Sequence, residues 1–441
     1  MRELVHNHVL SNVRGWNGLW TGRKSKQLQK MLSNFKVTIL CGFITLLVFR
    51  GTLAGRNFYS VPAAQDLSVL HGLQLQEGGG GGSSNEELRR MWDAENKEEE
   101  ENDPPPRDPN TPYTLGPEIK DWNEQRALWL SKNPQMAKTS NDKKDRILLV
   151  SGSQPKPCDN AVGDHYLVKG MKNKIDYCRL HDIEFFYNMA FLDQEMSGFW
   201  SKLPLIRKLM LAHPEVEWIW WMDSDAMFTD MVFELPLEKY QNHNLVVHGY
   251  DNMMANKSWV SLNTGSFLFR NCQWSLDLLD VWAPMGPKGP IRIEAGKLLT
   301  KTLAERPDFE ADDQSALIYL LITQSELWSN KVFLESSFYL HGYWMIIVDK
   351  YEEIMEKYHP GFGDERWPFV THFVGCKPCN SYHDHSIELC LAQMERAFNF
   401  ADNQILQLLG YQHLGLQTDK VKRTRNETAD PLNLHLPIPK E

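Results

Sequence analysis

The chain has 441 residues and a formal net charge of −10, with 42% hydrophobic and 24% charged residues. This is ordinary globular composition, and the length is sufficient for one to three domains. Because nucleic-acid binding requires a basic face toward the phosphates, the negative balance argues against nucleic acid as the main partner.

The chain begins with a basic segment that leads into an apolar run. Before Val37 there are seven lysines and arginines against one acid, and residues 37–49 then read VTILCGFITLLVF. This run is shorter than the ~20 apolar residues that a membrane span needs, but apolar residues continue past Arg50. A cleaved signal peptide and a buried core helix are the alternatives. The basic flank favours a signal anchor at 37–55 with a cytoplasmic tail at 1–36.

A change of composition follows the predicted anchor. Residues 56–112 include GGGGGSS at 78–84 and the acidic stretch ENKEEEEND at 95–103. Such a segment cannot bury enough apolar surface to fold alone, so it predicts a flexible stem. We expect the folded domain at 113–416 and a polar C-terminal tail at 417–441.

Strand and helix patterns alternate through the folded segment. This alternation predicts an α/β domain with a mainly parallel sheet, whose ligands bind beyond the carboxyl ends of the strands. The loops after Val150, Met222 and Val247 are therefore the first candidates for a binding site. The predicted elements in chain order are a strand at 147–153, a helix at 173–181, a strand at 183–188, a helix at 200–214, and strands at 217–222 and 245–249.

Six of the seven cysteines lie beyond the predicted anchor. An even number in a lumenal region is typical of an oxidising compartment and permits up to three disulfides. Cys376 and Cys379 have the spacing of a redox or zinc motif, but without a second zinc pair a disulfide or buried thiol is favoured. The triplets that begin at Asn256 and Asn426 are predicted N-glycosylation sites.

Two acids follow the apolar WIWWM pattern. A solvated turn is the ordinary explanation of an isolated DxD motif. A buried strand, however, would deliver both carboxylates of Asp223-Ser224-Asp225 to the ligand-binding edge of the sheet. Two carboxylates at this spacing suit a hard divalent cation such as magnesium or manganese. Ser224 is small enough to let the two acids converge.

The stretch THFVGCKPC at 371–379 carries a second set of candidates. His372 follows a strand-like run and is structural on local grounds, but imidazole also binds manganese. Gly375 would let the backbone approach a phosphate closely, and Lys377 would supply a point charge for a diphosphate. Together with the DxD motif, these residues predict a site for a cation and its diphosphate.

Three polar residues open the apolar helix pattern of EADDQSALIYLL. Acids at a helix N-terminus are stabilised by the helix dipole, which accounts for one of them. The pattern does not require two acids and a glutamine, so Asp312, Asp313 and Gln314 are also candidates for a reacting centre.

Two short polar stretches and two tryptophans allow further predictions. Residues 263–266 read NTGS and predict a β-turn before a strand, and Ser151-Gly152-Ser153 is either a strand-ending turn or a nucleotide contact. Trp200 and Trp344 are candidates for exposed aromatic rings that stack on sugars.

Four long stretches resemble glycosyltransferase family 34 of plants. They are WWMDSDAMFTDM at 220–231, LNTGSFLFRN at 262–271, FEADDQSALIYLL at 309–321 and WPFVTHFVGCKPC at 367–379. The resemblance extends over residues 113–430 and is greatest to the xyloglucan 6-xylosyltransferases. The galactomannan α-1,6-galactosyltransferases share the same motifs.

The resemblance implies a GT-A (Rossmann-like) fold in a Golgi type II membrane protein. It also implies retaining, Mn²⁺-dependent transfer of xylose from UDP-xylose to O6 of glucose in a β-1,4-glucan. The implied partners are the Golgi membrane and a second copy, related xylosyltransferases or a glucan synthase.

The family's functional residues map onto this sequence as follows. Manganese would be bound by Asp223, Asp225 and His372, and the UDP-sugar would be contacted by Ser151, Gly152, Ser153, Ser224, Gly375 and Lys377. The donor sugar and the reacting centre would be lined by Asp312, Asp313 and Gln314. Retention by same-face attack is favoured over a covalent intermediate because no carboxylate stands out as a nucleophile. A weakly active scaffold subunit is the alternative from a different functional class.

Overall fold

The computed structural model describes residues 111–136, 144–158, 161–196, 198–377, 379 and 385–425. The α-helices in this part are α1 Trp122–Lys132, α2 Ala161–His181, α3 Lys202–Ala212, α4 Asp251–Ala255, α5 Gln273–Trp282, α6 Pro290–Thr302, α7 Asp313–Thr323, α8 Ser325–Trp328, α9 Trp344–Ile347, α10 Tyr351–Lys357 and α11 Ile387–Leu408. The strands are β1 Ile147–Gly152, β2 Glu184–Asn188, β3 Trp218–Met222, β4 Ala226–Phe228, β5 Leu245–Gly249, β6 Leu262–Arg270, β7 Val332–Glu335, β8 Gly342–Tyr343, β9 Val370–His372, β10 Tyr411–His413 and β11 Val421–Arg423.

Six strands form the main sheet in the order β2-β1-β3-β6-β5-β7. The β1–β2, β1–β3 and β5–β7 pairs are parallel, whereas β6 is antiparallel to both β3 and β5. The predicted strands β1, β2, β3 and β5 are confirmed, and the α/β sheet is mixed, with three parallel and two antiparallel pairs. The antiparallel β6 has a consequence for the site, because its amino end lies at the same edge as the carboxyl ends of β1 and β3.

Strand periodicity separates the two faces of this sheet. Leu148 and Val150 pack with α3, α5 and α7 on one face. Ile147 and Leu149 pack with α2, β4 and β9 on the other. Because the central strands are covered on both sides, WIWWM in β3 is apolar throughout and every one of its residues is buried.

A smaller sheet of order β4-β9-β8 lies directly after the carboxyl end of β3. β4 and β9 are antiparallel and pair Ala226 with His372. The pairing brings a histidine to within one residue of Asp225, although the two residues are far apart in sequence. Helix α2 supports this sheet, since the Asn173 side chain exchanges two hydrogen bonds of 2.8 Å with the backbone of Phe228.

Two of the predicted elements differ clearly from the structure. The helix expected at 173–181 begins at Ala161. Its first turns were not predicted because they contain Gly163 and Gly170, and glycine is unfavourable in helix interiors. The predicted β-turn at 263–266 is wrong, since these residues belong to β6. The polar side chains at this end of β6 have partners inside the protein, which lets tertiary context override turn propensity.

Two disulfides join the described cysteines, Cys158–Cys379 and Cys376–Cys390. Cys376 and Cys379 therefore bond to different partners rather than to each other. Cys178 and Cys272 are free thiols. The preference for disulfides over a zinc site at the CKPC sequence is confirmed.

The remaining predictions concern the two ends of the chain. The predicted C-terminal tail begins inside a hairpin, because β11 pairs with β10. The tail at 1–36, the anchor at 37–55, nearly all of the stem and Asn426 lie outside the described residues. Within the described residues, no helix has the length and apolarity required to cross a membrane. Asn256 is exposed at the end of α4.

Candidate active site

A cavity of about 510 Å³ opens at the carboxyl edge of the main sheet. This volume suits a nucleotide-sized ligand. The predicted site residues that line it are Gly152, Ser153, Asp223, Ser224, Asp225 and Lys377. Of the three loops singled out from the sequence, those after β1 and β3 contribute to the lining.

The acidic motif forms the turn between β3 and β4. The backbone N–H of Asp223 donates to the carbonyl of Gly265 at 2.7 Å, which ties the turn to β6. The indole N–H of Trp221 donates to Asp223 Oδ1 at 2.6 Å. The backbone carbonyl of Asp225 accepts from Phe373 N–H at 2.9 Å. The Asp223 carboxylate and the backbone of Asp225 are therefore held by their surroundings.

His372 faces these two acids. Its Nε2 lies 3.2 Å from Asp225 Oδ1 and 3.9 Å from Asp223 Oδ2. Burial alone would lower the pKa of His372, but the neighbouring Asp225 carboxylate raises it. The ring fits only because residue 265 is glycine, since a Cβ there would stand 2.0 Å from His372 Cε1. Gly265 in the NTG sequence of β6 therefore makes room for the His372 ring, which a β-turn at this position would not explain.

The three side chains together offer a site for a divalent cation. One ligand atom from each of Asp223, Asp225 and His372 lies within 4.8 Å of the others. Two carboxylate oxygens and one imidazole nitrogen are a donor set that manganese accepts. The residues present therefore fit the cofactor that the sequence suggested.

Lys202 is a central residue of the site and was not among the residues predicted from the sequence. Its buried Nζ lies 2.9 Å from Asp313 Oδ2 and 3.3 Å from Asp223 Oδ1. It also donates to the Thr264 carbonyl at 3.0 Å. Burial alone would lower the pKa of Lys202, but Asp223 and Asp313 raise it. Helical spacing could have identified Lys202, because it precedes the buried Ile206 by four residues and therefore lies on the same face of α3.

A second buried amine lies beneath the acidic turn. Lys174 Nζ donates to the Ala226 carbonyl at 2.6 Å. Burial lowers the pKa of Lys174 to about 8 despite the attraction of Asp225 and Asp223. One turn earlier on α2, a Cβ at Gly170 would stand 3.2 Å from the Ser224 carbonyl. Helix α2 therefore supports the turn through one amine and one close backbone contact.

The three polar residues at the start of α7 have different surroundings. Asp312 is the N-cap: it accepts from Ser315 N–H at 2.7 Å and pairs with Arg306 at 2.9 Å. Asp313 holds Lys202 and also accepts from Thr264 Oγ1 at 2.8 Å. Asp312 is thus engaged in stabilising its helix, as acids at a helix N-terminus ordinarily are, whereas Asp313 belongs to the charge network of the site.

Gln314 is held in a fixed orientation. Its Oε1 accepts from Asn263 Nδ2 at 3.0 Å, and its Nε2 donates to the Trp259 carbonyl at 3.1 Å. Asn263 Oδ1 in turn accepts from Gly265 N–H at 2.8 Å. The amide is therefore connected to the backbone that lies against His372.

The predicted nucleotide contacts at the end of β1 divide into two groups. Gly152 and Ser153 line the cavity, whereas the fully buried Ser151 does not. Ser151 Oγ lacks a hydrogen-bond partner within the described part of the chain. A Cβ at Gly152 would stand 2.6 Å from the Asn188 carbonyl, so β2 requires glycine there.

The loop after β9 brings Lys377 to the wall of the same cavity. Gly375 adopts a φ of 83°, a left-handed conformation that favours glycine, but it does not line the cavity. Cys376 and Cys379, on either side of Lys377, are tied to α11 and to the loop after β1. The two disulfides therefore fix both sides of the lysine.

Two histidines continue from His372 toward the β5 end of the sheet. His341 Nδ1 lies 2.8 Å from His372 Nδ1. Burial, with contributions from His372 and His248, lowers the pKa of His341 well below its usual value. Burial likewise lowers the pKa of His248 to about 4. Both rings are therefore neutral near pH 7.

The two tryptophans suggested for sugar stacking have other roles. Trp200 and Trp344 are buried, with exposures of 0% and 2%. Trp200 donates to the Ala311 carbonyl at 2.9 Å, and Trp344 stacks on Phe373. The prediction of exposed rings is wrong because both indoles fill the core.

A model of the galactosyl transferase GMA12/MNN10 family matches residues 143–383. The chain belongs to this family. It is 60% identical over 410 residues to "Probable xyloglucan 6-xylosyltransferase 3" of Arabidopsis thaliana, covering 93% of this chain and 87% of that protein. It is 57% identical over 431 residues to "Xyloglucan 6-xylosyltransferase 2" of the same plant, covering 93% and 94%.

Solved structures provide more distant matches to this GMA12/MNN10 family member. One is a glycosyltransferase involved in glycosylation of the major capsid of PBCV-1, with 14% identity, coverage of 57% of this chain and 98% of that chain, and a TM-score of 0.35. Another is the galactosyltransferase LgtC in complex with donor and acceptor sugar analogs, with 13% identity, coverage of 58% and 95%, and a TM-score of 0.29.

Proposed function

We infer that this glycosyltransferase is a xyloglucan 6-xylosyltransferase. The reaction is retaining transfer of xylose from UDP-xylose to O6 of glucose in a β-1,4-glucan, which forms an α-1,6 branch. The support is the 56–60% identity to relatives named xyloglucan 6-xylosyltransferase or probable xyloglucan 6-xylosyltransferase over about 93% of the chain. The observation on which the chemistry rests is the convergence of Asp223, Asp225 and His372 beside the cavity.

The proposed metal is Mn²⁺, held by Asp223, Asp225 and His372. When bound, it would act as a Lewis acid that stabilises the negative charge developing on the departing UDP. Lys377 lies at the same cavity and supplies a second positive charge for the diphosphate. Gly152 and Ser153, which also line the cavity, are assigned to the nucleotide. We propose the GT-A form of the α/β fold for this arrangement.

The chain's own residues determine how the donor sugar would react. The Asp313 carboxylate is occupied by Lys202 and Thr264, so we assign it to holding Lys202 rather than to nucleophilic attack. Lys202 in turn fixes Asp223. We assign the oriented amide of Gln314 to the donor-sugar side of the site. We therefore propose same-face attack, in which the leaving phosphate takes the proton of the acceptor 6-hydroxyl.

Two parts of the proposal concern the cell. We propose a Golgi type II membrane protein anchored through residues 37–55, supported by the basic and apolar pattern of that segment. We also propose assembly with a second copy, with related xylosyltransferases or with a glucan synthase. Neither affects the chemistry of the cavity.

A transfer assay on the purified full chain tests the function. With UDP-xylose, Mn²⁺ and cellohexaose we expect a product one pentose heavier. Asp225→Ala should abolish both transfer and Mn²⁺ binding, because it removes one of the three cation ligands. Wild-type UDP and Mn²⁺ binding without any transfer would contradict the enzyme assignment and favour a scaffold subunit. Full activity of Asp225→Ala would contradict the metal assignment.

A further inference from the structure

The hydrogen bond between His341 and His372 has one donor and one acceptor, and the chemistry of imidazole determines which ring is which. The two Nδ1 atoms are 2.8 Å apart, and the rings are nearly perpendicular at 89°. A hydrogen bond between two neutral imidazole nitrogens needs one N–H and one lone pair. Either ring can be the donor in the absence of other constraints, so the bond has two possible polarities.

Cation binding selects one of these polarities. His372 Nε2 is the ring atom that faces Asp225 and Asp223. To bind a cation, Nε2 must present its lone pair, which places the proton of the neutral ring on Nδ1. That Nδ1–H then has to donate to His341 Nδ1. The opposite polarity would leave a proton on Nε2 and block it as a ligand.

We propose that His341 is a positioning residue that holds His372 in the tautomer and orientation required to bind a divalent cation through Nε2. The inference rests on the metal-dependent function proposed above. Ligand histidines usually donate their second ring N–H to a fixed acceptor, and loss of that acceptor typically weakens metal binding ~10–100-fold. Here the acceptor is a second imidazole rather than a carboxylate or a backbone carbonyl.

The backbone holds His341 as firmly as it holds His372. Strand β8 begins at the next residue and pairs Gly342 with Thr371 and Tyr343 with His372. Gly265 of β6 lies against the Nδ1–Cε1 edge of the His372 ring, where a Cβ would stand 2.0 Å from Cε1 and 2.6 Å from Nδ1. Both β6 and His341 therefore pack against this edge of the ring, and the hydrogen bond determines which nitrogen carries the proton.

Two substitutions of His341 separate positioning from packing. In His341→Asn the amide Oδ1 occupies the place of Nδ1 and can still accept from His372. His341→Phe keeps a ring but has no acceptor. His359→Phe is the matched control, because His359 is an exposed histidine outside the site. Each variant is made in the full chain and compared with the unmodified protein in thermal unfolding.

The measurement is Mn²⁺ affinity, obtained from the electron paramagnetic resonance signal of free Mn²⁺, with pulsed detection of nitrogen coupling to the bound ion. We expect ~10–100-fold weaker binding and altered nitrogen coupling in His341→Phe. His341→Asn should remain within ~3-fold of the unmodified chain, a difference below 1 kcal/mol. His359→Phe should match the unmodified chain.

Three results would overturn the proposal. The first is wild-type Mn²⁺ affinity and nitrogen coupling in His341→Phe. The second is equal loss of binding and of melting temperature in both His341 variants, which would indicate packing alone. The third is an unmodified chain that does not bind Mn²⁺, which would also remove the metal from the proposed function. The first two results leave that function intact.

Discussion

One buried amine balances the negative charge around the acidic turn. Lys202 is 1% exposed and lies between the carboxylates of Asp223 and Asp313. Breaking a buried ion pair by removing one partner leaves uncompensated charge and is strongly destabilising. Lys202 therefore affects both the stability of the domain and the geometry of a proposed metal ligand.

We predict that Lys202→Met lowers the free energy of unfolding by about 3–5 kcal/mol and abolishes transfer, because the buried Asp313 carboxylate and the partly buried Asp223 carboxylate lose their shared partner. Urea unfolding and the xylose-transfer assay measure the two effects. Lys208→Met is the control on the same helix, because Lys208 is exposed and should change stability by less than about 0.5 kcal/mol. Equal behaviour of the two variants would contradict the assigned role.

A glycine determines whether His372 can reach the acids. Because a Cβ at residue 265 would lie 2.0 Å from His372 Cε1, Gly265→Ala must displace the ring. We predict ~100-fold weaker Mn²⁺ binding, together with a loss of stability of about 1–3 kcal/mol from overpacking. Calorimetric Mn²⁺ titration and thermal unfolding measure these. Gly415→Ala is the control, since a Cβ there would have no atom within 4 Å. Unaltered Mn²⁺ binding in Gly265→Ala would refute the account.

At the scale of elements, the strands that carry the site were predicted well. β1, β3 and β5 are continuous apolar runs between turn residues, and each was identified close to its observed bounds. β6 was predicted poorly because its first residues are small and polar, as in turns. Their hydrogen bonds to Asp313, Gln314 and Trp220 exist only after the chain has folded.

The loop that carries Lys377 depends on two covalent links. Cys376–Cys390 attaches it to α11, and Cys158–Cys379 attaches it to the loop that follows the proposed nucleotide strand. The sequence indicated disulfides here but not their pairing. Pairing depends on which segments the fold brings together, and cysteine spacing does not contain that information.

We predict that the double variant Cys158→Ser/Cys379→Ser weakens UDP binding ~10-fold in the presence of Mn²⁺. One anchor of the Lys377 loop is lost, and with it much of a charge-assisted phosphate contact of about 1.5–3 kcal/mol. We also expect about 2–4 kcal/mol less stability. Calorimetry with UDP tests the first effect. Cys272→Ser is the control because Cys272 is a free thiol. Unchanged UDP affinity in the double variant would contradict this role of the disulfide.

At the scale of the whole molecule, the site combines residues from distant parts of the chain at one edge of a mixed sheet. Asp223, Asp225, His372 and Lys377 were predictable because each lies in a recognisable motif at the end of an apolar run. Lys174, Lys202 and His341 were not. A buried lysine or histidine resembles a surface residue in sequence, and only the packed helix or the strand pairing shows which groups it contacts.

The central claim is xylosyl transfer to a β-1,4-glucan. The direct measurement is a competition assay in which the full chain receives equimolar UDP-xylose and UDP-galactose with Mn²⁺ and cellohexaose, followed by NMR of the product linkage. We predict an α-1,6-linked xylosyl product with little or no galactosyl product. A predominantly galactosyl product would contradict the donor assignment, and the absence of any product would contradict the account as a whole.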